Sequence, residues 1–228
     1  MGALRVVPDS VVNLTVHGIG PAGHELAAGE DRTWIGIGQF ERLLDAAVGR
    51  SDVRLTFDDG NASDVTIALP RLLERGLAAE FFVLVGLLNR PGRLDDDGVR
   101  ELRKAGMAVG SHGWAHRDWR RLTAAQADEE IAKANDVLGD LVGQPVTRVA
   151  IPYGSYDGRV LRRLRYARVS QAYTSDGGRA RPGSWLQARN SARHDLDDSW
   201  ISSVLDGTAP LPIRARRVAV RTIKRFRR

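Results

Sequence analysis

The 228-residue chain contains no cysteine, which excludes a disulfide framework and any thiolate metal site. It also lacks an apolar run long enough to cross a bilayer. The first residues, MGALRVVPDS, contain no apolar segment of the length found in signal peptides. Together these absences predict a cytoplasmic protein.

Most of the chain also lacks a charge bias, although its formal net charge is +6. Residues 213–228, IRARRVAVRTIKRFRR, hold eight of the 34 basic residues and no acid, which leaves 26 basic residues against 28 acidic ones. We therefore expect one domain over residues 1–205 and a basic C-terminal tail over 206–228. The tail, with apolar residues among its cations, is either a solvated disordered end or a peripheral contact with anionic lipid at the inner membrane face. No motif indicates specific nucleic-acid binding.

Short β-branched apolar runs alternate with amphipathic helical stretches along the remainder of the chain. Strands are predicted at 11–17, 53–57, 78–86, 107–110, 146–151 and 169–174, and helices at 38–49, 64–76, 95–106, 123–143 and 156–167. This alternation requires parallel strand pairing, so the fold class is α/β, either a barrel or an open doubly wound sheet. In both architectures, functional residues collect where the strands end.

Polar clusters occupy four of these strand ends: His17, the adjacent Asp58 and Asp59 in TFDDG, the segment SHGWAH (111–116) and the segment PYGSYD (152–157). Two adjacent carboxylates repel each other unless a cation offsets their charge. His112 and His116 are four residues apart, which places both imidazoles on one side of a helical turn. Two imidazoles and one carboxylate can hold a divalent metal, and the second carboxylate can accept a proton from water. A DDG turn or a surface histidine pair would explain either motif alone, but their joint occurrence favours a metal site.

The motifs TFDDG, SHGWAH and PYGSYD, in this order and spacing, resemble the polysaccharide deacetylases, the NodB-homology or carbohydrate esterase family 4 group, over about residues 11–195. The resemblance implies a distorted (β/α) barrel and a hydrolase that removes N-acetyl groups from amino-sugar glycans or glycan precursors. It also implies Asp58 as the general base and Asp59, His112 and His116 as ligands of a divalent metal. Zinc is the expected metal, with cobalt and nickel as alternatives.

The resemblance further implies that the backbone N–H of Tyr153, which follows Pro152, stabilises the oxyanion. We also expect Trp185, in PGSWLQ, to line the acetyl pocket.

Two positions depart from the pattern of many family members. An arginine is common two places before the proline of the third motif, where this chain has Ala150, as in the poly-N-acetylglucosamine deacetylase-like branch. A replacement arginine is therefore expected from elsewhere, with Arg189 favoured over Arg148. The late Leu-x-His motif that supplies a general acid is also missing, so His17 is the expected acid and His194 its alternative.

Two other functions remain open at this stage. The same site would hydrolyse a C–N bond in a small non-sugar amide, for which the long first loop (18–37) could act as a cap. The missing motif arginine instead favours a catalytically inactive relative that only binds glycans. Measured turnover on N-acetylglucosamine substrates discriminates between an active deacetylase and these alternatives. The sequence does not predict the oligomeric state.

Overall fold

The computed structural model describes residues 8–26, 28–208 and 210–227. In chain order the strands are β1 (Val12–Val16), β2 (Gly18–Ile19), β3 (Trp34–Ile35), β4 (Val53–Asp59), β5 (Ala79–Val83), β6 (Ala108–Ser111), β7 (Arg148–Ala150), β8 (Gln171–Thr174) and β9 (Leu186–Ser191). The α-helices are α1 (Ile37–Ala47), α2 (Leu69–Glu74), α3 (Asp96–Lys104), α4 (Ala124–Ala127), α5 (Ala134–Val142), α6 (Gly158–Tyr166), α7 (Asp198–Asp206) and α8 (Leu211–Phe226).

Seven strands close into a parallel barrel in the order β1-β4-β5-β6-β7-β8-β9, and β9 returns to pair with β1. This closure confirms the predicted α/β barrel and excludes the open sheet. The short strands β2 and β3 pair separately, in the long loop between β1 and α1. Two wide π-helical turns, Asp64–Ala68 and Asp128–Lys133, lead into α2 and α5.

Strand register brings the predicted polar clusters to one rim of the barrel. Asp58 and Asp59 at the end of β4 lie beside Phe82 and Val83 of β5. Val83 in turn lies beside Ser111, the last residue of β6, which precedes His112. Because all the barrel strands are parallel, their carboxyl ends share this rim.

The barrel strands are buried on both faces, but the two faces differ in chemistry. Outward residues pack under the helices, as in the contact of Phe40 of α1 with Phe57, which stacks on Phe81 at a ring separation of 4.5 Å. The inward face carries polar side chains, among them Thr15 and Thr56, whose hydroxyls lie 3.0 Å apart. The interior of the barrel therefore offers hydrogen-bond partners to charged side chains near the rim.

Aspartate side chains begin several helices by accepting backbone N–H groups that no earlier turn can satisfy. Asp95 accepts from Gly98 of α3 at 2.7 Å. Asp157, the last residue of PYGSYD, accepts from the N–H groups of residues 159 and 160 at the start of α6. The aspartate of this motif thus fixes the path of the chain after the loop.

The structure adds elements that the sequence did not predict. Strand β9 closes the barrel and α7 follows it, both beyond the last predicted strand. Most of the C-terminal tail forms α8 rather than a disordered end. Within the three described ranges, we find no helix with the length and apolar character needed to span a membrane.

Candidate active site

Three potential metal ligands meet at the carboxyl rim of the barrel. Ligand atoms of Asp59, His112 and His116 all lie within 4.8 Å of one another. The Nε2 atoms of His112 and His116 are 3.5 and 3.8 Å from Asp59 Oδ1. This is the donor set predicted from the sequence, and its two imidazoles and one carboxylate suit a divalent metal ion.

Hydrogen bonding and burial leave both imidazoles able to coordinate a cation. The Nδ1–H of His112 donates to the Ala150 carbonyl at 2.8 Å, which leaves Nε2 as the lone-pair donor facing Asp59. Burial, followed by the proximity of the His112 imidazole, lowers the pKa of His116 to about 4, so this imidazole is neutral at pH 7. Asp59 Oδ1 is buried and accepts no hydrogen bond from the described residues. An oxygen in that state fits a metal ligand better than a structural carboxylate.

The backbone is strained where the site is built. Within the described residues, five non-glycine residues have a positive φ, and Asp59 (78°), His116 (55°) and Tyr153 (58°) are three of them. Such conformations cost roughly 1–3 kcal/mol each and persist only where surrounding contacts enforce them. Asp59 is the last residue of β4, and His116 and Tyr153 lie in the loops that follow β6 and β7, so all three strained residues lie at the carboxyl rim of the barrel.

Glu130, which the sequence analysis did not identify, holds the histidine loop. Its buried carboxylate accepts the N–H groups of Trp114 and Ala115 at 3.1 and 3.0 Å and the indole N–H of Trp119 at 3.2 Å. A Cβ on Gly113 would lie 2.5 Å from Glu130 Oε2, so this position requires glycine. Glu130, in the turn between α4 and α5, therefore holds the backbone between the two histidines in one conformation.

Asp58 lies beside the metal ligands and pairs with Arg189 of β9. Two guanidinium nitrogens of Arg189 donate to the two Asp58 oxygens, each at 2.6 Å. Burial alone raises the pKa of Asp58, but the charge of Arg189, the proximity of His112 and the Arg189 hydrogen bonds together outweigh the effect of burial. The pKa of Asp58 therefore lies well below its usual range. The structure brings Arg189 to the position expected for the replacement arginine, whereas Arg148 pairs with Glu80.

His17 completes the cluster from the end of β1. Its Nε2 atom is 4.0 Å from Asp58 Oδ2. His17, the two aspartates and the two loop histidines line a cavity of about 580 Å³, and Gly29, Glu30 and Thr33 of the first loop form part of its wall. His194 lies outside this cavity lining, where its Nδ1 is 3.3 Å from the Arg32 carbonyl.

The loop after β7 carries Pro152, which is buried, and Tyr153, whose ring lies 4.3 Å from the His116 ring. Tyr153 is the second residue of a short 3₁₀ turn, a position whose backbone N–H has no partner within the turn. The Lys224 ammonium of α8 donates to the Gly154 carbonyl at 3.0 Å and to Asp176 Oδ1 at 2.7 Å. Helix α8 is therefore hydrogen-bonded to the loop that borders the site.

The prediction that Trp185 lines the acetyl pocket is wrong. Trp185 directly precedes β9, at the opposite end of that strand from the site, and its indole N–H donates to the Val169 carbonyl at 2.8 Å. The error has a topological cause, because only residues near the carboxyl end of β9, such as Arg189, reach the rim.

Comparison with known proteins gives one family match. A family model with the description "Polysaccharide deacetylase" matches residues 45–172. The chain is 34% identical over 110 residues to the peptidoglycan-N-acetylglucosamine deacetylase PgdA of Listeria monocytogenes, which covers 47% of this chain and 22% of that protein. Across the curated relatives to which it is similar, the chain spans between 22% and 50% of their own length.

Two solved structures share the fold over nearly their whole length. The deacetylase PplD of Streptococcus pyogenes, solved in complex with acetate, aligns with a TM-score of 0.74 at 19% identity, over 87% of this chain and 99% of that one. IcaB from Ammonifex degensii aligns with a TM-score of 0.71 at 21% identity, over 87% and 97% of the two chains. At these identities the likeness concerns the fold.

Proposed function

The chain belongs to the polysaccharide deacetylase family, and from that premise we propose that it hydrolyses the N-acetyl groups of amino-sugar glycans or their precursors with a divalent metal ion. One observation carries the proposal: Asp58, Asp59, His112 and His116 converge at one rim of the barrel. The name of the relative PgdA, which specifies N-acetylglucosamine in peptidoglycan, supports the substrate class. The products are acetate and a free amino sugar.

We propose zinc as the metal, held by Asp59, His112 and His116. Neutral imidazoles and a carboxylate are usual zinc ligands, and cobalt or nickel would accept the same donors. A divalent cation in this site supplies Lewis-acid chemistry by activating water and polarising the acetyl carbonyl.

Groups around the proposed metal ligands transfer protons and stabilise charge during the reaction. Asp58 accepts a proton from the attacking water, and Arg189 keeps this carboxylate ionised and fixed in orientation. His17, 4.0 Å from Asp58, donates a proton to the leaving amine. The backbone N–H of Tyr153 donates to the oxyanion that develops on the carbonyl oxygen.

Metal removal tests the proposal directly. Treatment of the full chain with a chelator is expected to abolish acetate release from N-acetylglucosamine oligomers, and added zinc is expected to restore it, because both water activation and carbonyl polarisation need the cation. Asp59→Asn should lower the zinc content measured by elemental analysis and lower turnover in parallel. Undiminished acetate release from metal-free protein would contradict a metal-dependent reaction.

The general acid is tested by comparing two histidines. His17→Ala is expected to lower turnover by roughly 10²–10⁴-fold, the usual effect of losing a general acid, with zinc content unchanged. His194→Ala is the matched control and should retain nearly full turnover, because this side chain lies outside the cavity lining. The opposite pattern would transfer the role to His194.

The position of Lys224 gives a prediction about α8. Lys224→Met is expected to lower kcat by roughly tenfold or more with little change in KM, because it frees the Gly154 carbonyl and lets the oxyanion loop shift. Zinc content should stay at the wild-type level. Arg216→Met is the control, since Arg216 is exposed on the same helix. Unaltered turnover in Lys224→Met would show that α8 does not position the loop.

The first loop favours a second candidate function, hydrolysis of a C–N bond in a small non-sugar amide. Residues 29, 30 and 33 of this loop line the same cavity as His17, so the loop contributes part of the wall that a substrate would meet. Turnover is measured on N-acetylglucosamine oligomers of increasing length and on small acetamides, and the comparison distinguishes glycan deacetylation from hydrolysis of small amides. Glycan specificity requires turnover that increases with chain length.

We also propose that α8 contacts anionic lipid at the inner membrane face. Val218, Ile223 and Phe226 are 62%, 60% and 80% exposed and fall on one side of the helix, next to exposed arginines such as Arg216. Co-sedimentation with phosphatidylglycerol vesicles should weaken with salt and decrease in Val218→Ser/Ile223→Ser. Equal binding at low and high salt would contradict the contact.

A further inference from the structure

A second cavity, of about 620 Å³, lies between α6, the segment before β9 and the C-terminal part of α8. It shares no lining residue with the cavity at the barrel rim. Among the residues that the structure describes, the lining has no acidic member, but it contains five arginines: Arg165, Arg179, Arg181, Arg221 and Arg225. A cavity lined in this way has a strongly positive potential.

Only part of this charge is neutralised by the protein. Arg179 is committed to Asp52, at 2.6 Å, and to backbone carbonyls. Arg221 donates to the Gly177 carbonyl at 3.0 Å, and its Nε is 4.0 Å from Asp176.

The other three arginines are exposed, and the ion pairs found around this cavity among the described residues involve only Arg179 and Arg221, not Arg165, Arg181 or Arg225. Several guanidinium groups held together without counter-charges repel one another, which an anionic ligand would relieve.

Aromatic side chains shape the same cavity. The Arg165 guanidinium lies over the Trp185 ring at 4.1 Å from its centroid. Stacking of this kind orients the planar group and leaves its N–H edge free to donate. Trp185, which sequence analysis assigned to the active site, thus holds an arginine in a different cavity. Phe226 adds an exposed apolar edge.

We propose that this cavity binds the phosphate or diphosphate group of an anionic ligand, through Arg165, Arg181 and Arg225. Planar guanidinium groups match phosphate oxygens with paired N–H donors, and three uncompensated cations exceed the charge of a single carboxylate. A membrane phospholipid and a free phosphorylated compound would present the same group. The proposal does not depend on the hydrolytic reaction, because the two cavities have no residue in common.

The test is a calorimetric titration of the full chain with inorganic pyrophosphate. Arg165→Gln/Arg225→Gln is expected to weaken binding by roughly 10- to 100-fold, the usual effect of losing hydrogen bonds between charged groups. Arg216→Gln/Arg227→Gln is the charge-matched control, with one arginine on α8 and one directly after it, both outside the cavity lining, and it should bind like wild type. Any binding of pyrophosphate at the proposed metal site would be the same in all three proteins and would not change the comparison. Coincident titrations of wild type and the cavity variant, or an equal loss in the control, would overturn the proposal.

Vesicles containing phosphatidylglycerol then distinguish the two sources of the phosphate group. If the ligand is a phospholipid head group, Arg165→Gln/Arg225→Gln loses more vesicle binding than Arg216→Gln/Arg227→Gln. If it is a free phosphorylated compound, the two variants lose vesicle binding equally, while only the cavity variant loses pyrophosphate binding.

Discussion

Arg189→Met is expected to destabilise the folded protein by about 3–5 kcal/mol, the usual result of removing one partner of a buried ion pair. The Asp58 side chain is 3% exposed, and both of its oxygens accept hydrogen bonds from Arg189. Without the guanidinium, this carboxylate stays buried without a counter-charge. Urea denaturation followed by circular dichroism measures the loss, and turnover should fall as well because the base is no longer oriented.

Two companion variants identify the cause of that loss. Arg148→Met removes another barrel arginine, but its partner Glu80, whose pKa burial raises, can take up a proton, so the loss should be smaller. The double variant Asp58→Asn/Arg189→Met should be more stable than Arg189→Met alone, because no buried charge is then unpaired. Equal losses in Arg148→Met and Arg189→Met, or strictly additive effects in the double variant, would contradict this explanation.

Asp58→Asn is expected to lower turnover by roughly 10²–10⁴-fold, because an amide cannot accept the proton of the attacking water. Zinc content should be retained, since the three metal ligands are unchanged. Initial rates on a panel of N-acetylglucosamine substrates, measured well below the unfolding temperature, give the ratio of wild-type turnover to Asp58→Asn turnover.

The same measurement decides whether the protein is an inactive glycan-binding relative. Equal inertness of wild type and Asp58→Asn, with glycan binding intact, would support that alternative. Pairing of Asp58 with Arg189 argues for an enzyme, because a binding module has no need for a buried, oriented carboxylate.

The sequence predicted that Asp58, Asp59, His112 and His116 meet at one rim because their signals are local. Asp58 and Asp59 are adjacent, and His112 and His116 are four apart, so each motif is visible in a short window. The strands that precede these motifs contain short apolar, β-branched runs, such as VRLTF before Asp58, and these runs indicated strands. Parallel pairing was then enough to predict that the motifs meet.

The remaining features depend on long-range contacts that leave little trace in the sequence. Strand β9 was missed because its inward residues, such as Gln187 and Arg189, face the polar interior of the barrel, so LQARNS lacks an apolar pattern. Glu130 stands among several charged residues in DEEIAK, and only the fold shows that it is the buried one. The sequence also did not predict which face of α8 contacts the rest of the protein. Basic residues, Arg221 and Lys224, make these contacts, while apolar side chains of the helix are exposed, the reverse of the usual pattern.

The docking of β9, which closes the barrel, separates assembly of the proposed metal ligands from orientation of the proposed base. The three proposed metal ligands come from the end of β4 and from the loop after β6, and the residues that hold this loop, Glu130 and Ala150, also precede β9 in the chain. The bond between Arg189 and Asp58 joins residues 131 positions apart and forms only when β9 docks on β1. Long-range pairing of this kind is slow. We therefore expect a chain in which β9 has not docked to keep the three proposed ligands together while Asp58 lacks its arginine, so metal content alone does not measure how much of a refolded preparation is active.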